Sequence, residues 1–594
     1  MGELRALLEM RQAWPLGFAP DGASLLIASD VPGTRQLHRL SVAGGELEQL
    51  TFLSEPVDGL VLPDGRILLV TDEGGNERGQ LYLLDPEPHA EPEPLVVDPR
   101  FIHATPRVSR DGALLAYATN RRNGVDFDVV ARRLESGEER VFELGGWLGV
   151  LSISPDGRWI AVDRIGEAAG DSDVFLLDSE SGEVVHATPH EGSAEFGAPA
   201  WLPGSSAFLA ATSAGRDTLA LGRYELATRE WQLVHEAPWD LECAIDAAGA
   251  TLLVGANEDG YSRLELRDPE TLELRREVPL PEPGVAEHAV FSPDGTLLAF
   301  SFSSVREPHD VHLHECSTGV TRRLTTSPRD LDAARHVTPT LHRVESFDGE
   351  TVPVFLFEPE GEGPFPVVVT VHGGPESQWR PWYSQGFGAF TQFLVARGYA
   401  VAAPNVRGSS GYGKRFEHLD DVALRLDSVR DLAEVHAWLS ARPEIDGSRA
   451  VVYGRSYGGY MVLAALAFQP ELWAAGIEFV GISNLETFLE NTSEYRRGAR
   501  EREYGSLATD RELLRGASPA SRVDAIRAPL FIEHGRNDPR VPVSESEALH
   551  RALRERGVRC ELVIYEDEGH TIEKLGNRVD AFERAVAFLE DVLT

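Results

Sequence analysis

One short turn signal recurs seven times in the first half of the chain, and its regularity constrains the fold more than any other feature. It reads Ala19-Pro20-Asp21-Gly22, Leu62-Pro63-Asp64-Gly65, Ser109-Arg110-Asp111-Gly112 and Ser154-Pro155-Asp156-Gly157. Weaker copies follow at Leu202-Pro203-Gly204 and Asp246-Ala247-Ala248-Gly249, then a clean one at Ser292-Pro293-Asp294-Gly295. Successive copies start 43 to 48 residues apart. In such a turn proline presets φ, aspartate bonds back to the backbone, and glycine accepts positive φ. Apolar runs such as Leu25-Leu26-Ile27-Ala28 follow the turns, and further short strands such as Gln80 to Leu84 lie between them. Unrelated hairpins would not keep one interval. Several strands per unit at a period of about 45 residues predict a β-propeller, here all-β and seven-bladed over residues 15–335. Residues 1–14 read as a helical segment ahead of the first blade.

Near residue 336 the turn repeat stops, and apolar strands begin to alternate with helix-like segments. Val367 to Val371, Ala400 to Ala403 and Ala450 to Tyr453 read as buried strands, with helices expected at Phe390 to Arg397 and Asp427 to Arg442. That alternation predicts a mostly parallel, doubly wound sheet covered on both faces. The chain is therefore expected to be multi-domain, with an α/β-hydrolase domain over residues 336–594. A length of 594 residues is in any case too great for a single core.

Gly454-Arg455-Ser456-Tyr457-Gly458 is a Gly-x-Ser-x-Gly pentapeptide, a weak signal alone. Its context strengthens it, because a predicted strand runs in and a predicted helix runs out, as a nucleophile elbow requires. The acid and base should follow in that order, each on a loop after a strand. Asn537-Asp538-Pro539-Arg540 follows the strand containing Phe531 and Ile532, and Glu568-Gly569-His570 follows Leu562 to Tyr565. Ser456, Asp538 and His570 are thus the candidate triad, with Glu566, Asp567 and Glu568 as rival acids. His372-Gly373-Gly374-Pro375 follows the Val367 to Val371 strand, so Gly374 and Tyr457 are the expected backbone donors to an oxyanion. His372 is expected to brace that loop, since no second ligand stands at metal spacing. His312 and His314 share a strand face, but no further ligand accompanies them. This chemistry needs no cofactor and no metal.

A net charge of −39, from 95 acidic and 56 basic residues, disfavours nucleic acid as a partner. Cys243, Cys316 and Cys560 match no zinc or disulfide pattern, which suggests a reducing compartment. Neither a secretory leader nor a membrane-spanning run is evident. A cytoplasmic protein without a membrane partner is expected.

Taken together, these motifs resemble the prolyl oligopeptidase family of serine peptidases (peptidase family S9) along essentially the whole chain. The resemblance rests on His372 to Pro375, Asn405-Val406-Arg407-Gly408-Ser409-Ser410-Gly411-Tyr412-Gly413, the elbow, Asn537 to Pro542 and Glu568 to His570. It implies a propeller over the catalytic edge and hydrolysis of short peptide substrates. The His-Gly-Gly-Pro loop and the length are most similar to the acylaminoacyl-peptidase branch. The dipeptidyl-peptidase branch's Asp-Trp motif with paired glutamates is missing, Glu138-Glu139 lying in a Gly-Glu-Glu-Arg hairpin instead. The expectation is thus an acylaminoacyl-type exopeptidase, with a carboxyl-end exopeptidase, a prolyl-type oligopeptidase and an esterase as alternatives; the intact triad and oxyanion positions disfavour a non-catalytic propeller scaffold. The resemblance also implies that Arg540 binds substrate or braces the propeller, and allows self-association into a homo-oligomer. Tyr457, Trp473, Phe488 and Tyr495 are candidates for an apolar substrate wall.

Overall fold

A computed structural model describes residues 2–328 and 336–593. The stretch Asp330-Leu331-Asp332 and the residue 335 end of the expected propeller lie outside the described residues. Seven four-stranded antiparallel sheets occupy Ala13 to Arg323, each made of four strands consecutive in sequence. Every copy of the turn signal joins the first and second strands of its sheet. In the first copy Gly22 N donates to Ala19 O (2.8 Å) and Asp21 Oδ1 accepts from Ala23 N (2.9 Å). The fifth copy keeps the turn with a different residue. Ser205 N donates to Leu202 O (3.0 Å), and Ser205 takes the positive φ (53°) that glycine takes elsewhere.

Apolar side chains fill the seams between blades rather than any one blade. Leu26 and Leu37 meet Ile67 and Leu69 across the first seam. Ala13, Leu25 and Ile27 of the first blade meet Ala299, Val311 and Leu313 of the last, which closes the ring by side-chain packing without strand exchange.

The second domain is one eight-stranded sheet. Numbered along the chain, its strands are Thr340–Glu345, Thr351–Phe357, Phe365–Val371, Ala400–Pro404, Ile445–Arg455, Ala475–Phe479, Leu530–Gly535 and Cys560–Tyr565. Their order across the sheet is 1-2-4-3-5-6-7-8. The second strand pairs antiparallel with both its neighbours, the first and the fourth, and all remaining pairings are parallel. Alternate residues feed opposite cores. Val367, Val369, Val452 and Ile532 point to one face, and Val368, Val451, Ile477 and Phe531 to the other.

The expected N-terminal helix is shorter than residues 1–14. It spans Gly2–Leu8, and Ala13 and Trp14 already belong to the first blade's inner strand. Leu4, Leu7 and Leu8 are buried against Phe390, Phe393, Phe582 and Val586 of the hydrolase, so this helix completes the second domain's core.

Candidate active site

The elbow is built by glycines. The strand Ile445–Arg455 passes directly through Ser456 into the helix Tyr457–Phe468, and Ser456 sits at φ 61°, ψ −120°. That conformation costs a non-glycine residue about 1–3 kcal/mol and must be imposed by its surroundings. A side chain on Gly458 would run into the Val371 carbonyl, and one on Gly459 would approach Gly481 Cα to 2.6 Å. Backbone from three strands therefore closes around the turn and lifts the Ser456 hydroxyl clear of the sheet.

His570 Nε2 lies 3.0 Å from Ser456 Oγ, and His570 Nδ1 lies 2.7 Å from Asp538 Oδ2. The other oxygen, Asp538 Oδ1, accepts from Arg540 N (2.8 Å) and Val541 N (3.0 Å). Burial penalises the Asp538 carboxylate, but the His570 charge and hydrogen bonds from His534 and His570 outweigh it and hold the group well below the usual range. Desolvation lowers the His570 pKa to about 4, with Asp538 pulling the other way and the Arg455 and Arg540 charges reinforcing the drop. The imidazole is thus neutral at neutral pH, oriented by a carboxylate and aimed at a hydroxyl, as a general base must be. The rival acids are engaged elsewhere. Glu566 pairs with Arg536, Asp567 with Lys574, and Glu568 accepts from Glu573 N, Lys574 N and Asn577.

Gly373 and Gly374 line a cavity of about 330 Å³ together with Ser456, His570, Arg540, Trp379, Trp382 and Phe387. Tyr457 opens its helix, where backbone N–H groups have no intrahelical acceptor. Its phenol turns away from the cavity, donates to Asp420 Oδ2 (2.8 Å) and lies 2.9 Å from Ser428 Oγ. His372 braces the loop, its Nδ1 meeting Gly373 O (2.7 Å) and its Nε2 meeting Ser409 Oγ (2.8 Å). The Asn405 side chain clasps Trp379 N (2.7 Å) and Trp379 O (3.1 Å), so the Asn405 to Gly413 segment fixes the loop from below.

Two expected wall residues are not in this cavity. Phe488 is 2% exposed and packs in the hydrolase core against Tyr504. Tyr495 wedges between Phe127 and Trp147 of the propeller. Tyr457 and Trp473 are core residues too. Aromatic residues fill cores and pockets equally well, so their identity alone could not separate the two roles. The wall comes instead from Trp379, Trp382 and Phe387, just past the oxyanion loop.

Arg540 faces the cavity and also ties it to the propeller, its Nε donating to Glu77 Oε1 (2.6 Å). The same propeller loop touches the residues just before both partners of the serine. Asn537 Nδ2 donates to Gly74 O (3.0 Å), and a Cβ on Gly75 would lie 2.6 Å from Gly569 N. His534 was not foreseen from sequence. Its Nδ1 meets Ser546 Oγ (2.8 Å), its Nε2 meets Val541 O (2.9 Å), and it stands 3.5 Å from Asp538. Its place on the strand leading to the acid loop, four residues before Asp538, was the one available signal.

His312 and His314 are buried, with Nδ1 contacts to Asp310 O (3.1 Å) and Thr321 Oγ1 (2.9 Å). Among the described residues, the one acidic group close enough to share an ion is Asp420, Asp421 and Glu503, and the Arg425 guanidinium already bridges Asp420 to Glu503.

Residues 385–594 match the profile of the Prolyl oligopeptidase family. Dipeptidyl aminopeptidase BIII of Pseudoxanthomonas mexicana is 30% identical over 379 residues, which covers 60% of this chain and 54% of that protein. Dipeptidyl peptidase family member 6 of Caenorhabditis elegans is 32% identical over 236 residues, covering 39% and 31%. The chain thus spans about half or less of the length of these two relatives. Among solved structures, a puromycin hydrolase superposes with a TM-score of 0.86 at 21% identity, covering 99% of this chain and 96% of that one. A prolyl endopeptidase structure gives 0.85 at 18% identity, covering 100% and 91%. At these identities the likeness is one of fold, a seven-bladed propeller joined to a hydrolase. The chain carries, over residues 385–594, a domain of the prolyl oligopeptidase family.

Proposed function

We propose that the chain is a serine peptidase that hydrolyses short peptides through an acyl-enzyme. The observation that carries this reading is the continuous line Ser456–His570–Asp538 opening into a cavity walled by hydrolase residues and by Val305 of the propeller. Ser456 Oγ attacks the scissile carbonyl while His570 Nε2 takes its proton. The carbonyl oxygen becomes an oxyanion facing the N–H groups of Gly374 and Tyr457, a type of contact worth about 10²–10³ in rate per donor. His570 then gives the proton to the departing amine, and water repeats the cycle on the ester. The propeller covers the catalytic edge, which limits the substrate to segments small enough to enter.

The finer reading is an exopeptidase of acylaminoacyl type, suggested by the His-Gly-Gly-Pro loop. Release of dipeptides from a free N-terminus is the second reading, favoured by the names of the two relatives above. Mass spectrometry of one short peptide, offered with a free or an acetylated N-terminus, separates the two, with Ser456→Ala as the blank. Release of the acetylated first residue is the expected result. A dipeptide released only from the free peptide would establish the second reading instead. Cleavage by the Ser456→Ala protein would overturn both.

A further inference from the structure

A second cavity, of about 550 Å³, lies on the other side of His570. It shares Trp382, Ser384, Phe387, Arg455 and His570 with the cavity at Ser456, but neither Ser456 nor the oxyanion loop lines it. Its remaining walls include Trp14 and Arg35 of the first blade, Asp58 of the second and His288 of the last, and the start of the C-terminal helix, Leu575–Leu593. In this chemistry the base that protonates the leaving amine stands between the acyl part and the leaving part of the substrate. A space reached past His570, away from the oxyanion donors, is therefore placed for the leaving group.

One residue in that space has Asp30 and Glu573 charges nearby but buried donors without an acceptor. Arg578 is 8% exposed, and its Nε and Nη2 are buried with no hydrogen-bond partner. The neighbouring Asp30 is committed elsewhere, accepting from Gln12 N (2.7 Å) and from Gln385 Nε2. A buried guanidinium with idle donors is costly unless something supplies acceptors. The other charges of the cavity do not meet that need. Glu287 is paired with Arg380 at 3.3 Å. Burial pushes Glu533 up to about 8, so it is protonated at neutral pH. Arg35, Arg455 and Arg578 then stand against Asp58 and Glu573. Arg35 Nε is a further buried donor without a partner.

We propose that this cavity is the leaving-group site and that Arg578 receives a carboxylate of the leaving peptide. The assignment rests on the serine-peptidase reading of Ser456 and His570. A planar guanidinium can hold a carboxylate through two parallel hydrogen bonds, a geometry that lysine cannot reproduce. The ligand is a short leaving segment bearing either a C-terminal carboxylate or an acidic side chain.

The test compares kcat/KM of the full-length enzyme on three versions of one short peptide: free C-terminus, C-terminal amide, and amide with a glutamate next to the scissile bond. A preference of about tenfold or more for the free acid over the amide is expected from a charge-assisted bond. Recovery of that preference by the glutamate peptide would locate the carboxylate on the side chain; no recovery would locate it at the terminus. Arg578→Gln should bring the acid-to-amide ratio close to one, and Arg578→Lys should restore only part of it. Should Arg578→Gln fail to fold, calorimetry on Ser456→Ala reads the same contact through tighter binding of the free leaving peptide than of its amide. Equal rates and equal binding for acid and amide would overturn the proposal while leaving the peptidase reading intact. Absence of both peptide cleavage and fluorophosphonate labelling at Ser456 would instead remove the reading on which it rests.

Discussion

The propeller divides its apolar interior into seven clusters, each filling a seam between neighbouring blades, whereas the hydrolase gathers its own into two clusters on the faces of one sheet. The difference decides what a single residue can do. In the propeller each turn is one of seven near-equivalents, and glycines such as Gly65 and Gly112 supply a backbone angle and little else. In the hydrolase the elbow glycines have neighbouring backbone pressed against them, Gly458 the Val371 and His372 carbonyls and Gly459 the Phe479 to Gly481 segment. Substitutions of one chemical kind should therefore have unlike consequences in the two domains, and within the hydrolase the consequences should sharpen toward the triad.

The largest effect belongs to the acid loop. Asp538→Asn should lower kcat by about 10⁴, because the amide cannot hold the reactive imidazole tautomer. Glu568→Gln, on the neighbouring loop, should change kcat by less than about tenfold, since Glu568 bonds backbone and Asn577 rather than His570. Steady-state rates on a short peptide decide it, and equal losses would mean the acid is misassigned.

Next come the glycines. Gly458→Ala should destabilise the hydrolase by about 3 kcal/mol or more and abolish activity, as its methyl has nowhere to go beside the Val371 carbonyl. Gly112→Ala in the third blade, where φ is +75° and the nearest atom is Pro63 at 3.6 Å, should cost about 1 kcal/mol and leave kcat unchanged. Denaturant midpoints and turnover measured on both variants would expose any failure of the contrast.

The smallest effect is a shift in pH dependence. His570 must be neutral to take the serine's proton, and burial keeps it neutral down to a pKa of about 4. The rate kcat/KM should therefore stay level through pH 5 to 6 and fall only on further acidification. An acid limb centred near 6.5, the ordinary imidazole value, would mean that His570 is more exposed to water in the working enzyme.

The contrast also explains which features could be read from sequence. Blade turns must reuse one local chemistry, so seven copies announce themselves even when Ser205 replaces a glycine. The triad was legible because each member follows a strand and the three occur in a fixed order. The cavity walls were not, because they converge from Val305, Phe357, the residues after Pro375 and the elbow, and no local pattern marks such convergence. Phe488 and Tyr495 looked eligible through being aromatic, and packing assigned them to the core and the domain interface. His534 and Arg578 escaped for the same reason, since each matters through neighbours distant in sequence.

The helix Gly2–Leu8 carries a consequence for assembly. It precedes every blade in the chain, yet it is buried against Phe390, Phe582 and Val586, which are synthesised after the whole propeller. During translation its leucines have no native surface to cover until the C-terminal helix emerges, so this segment is the last to dock although it is made early. Once docked, it makes the hydrolase a domain anchored to the propeller by two strands of covalent chain rather than one. The two tethers run side by side, Arg11 N donating to Pro328 O (3.3 Å), so any opening of the domains must turn about that doubled link or first release the helix.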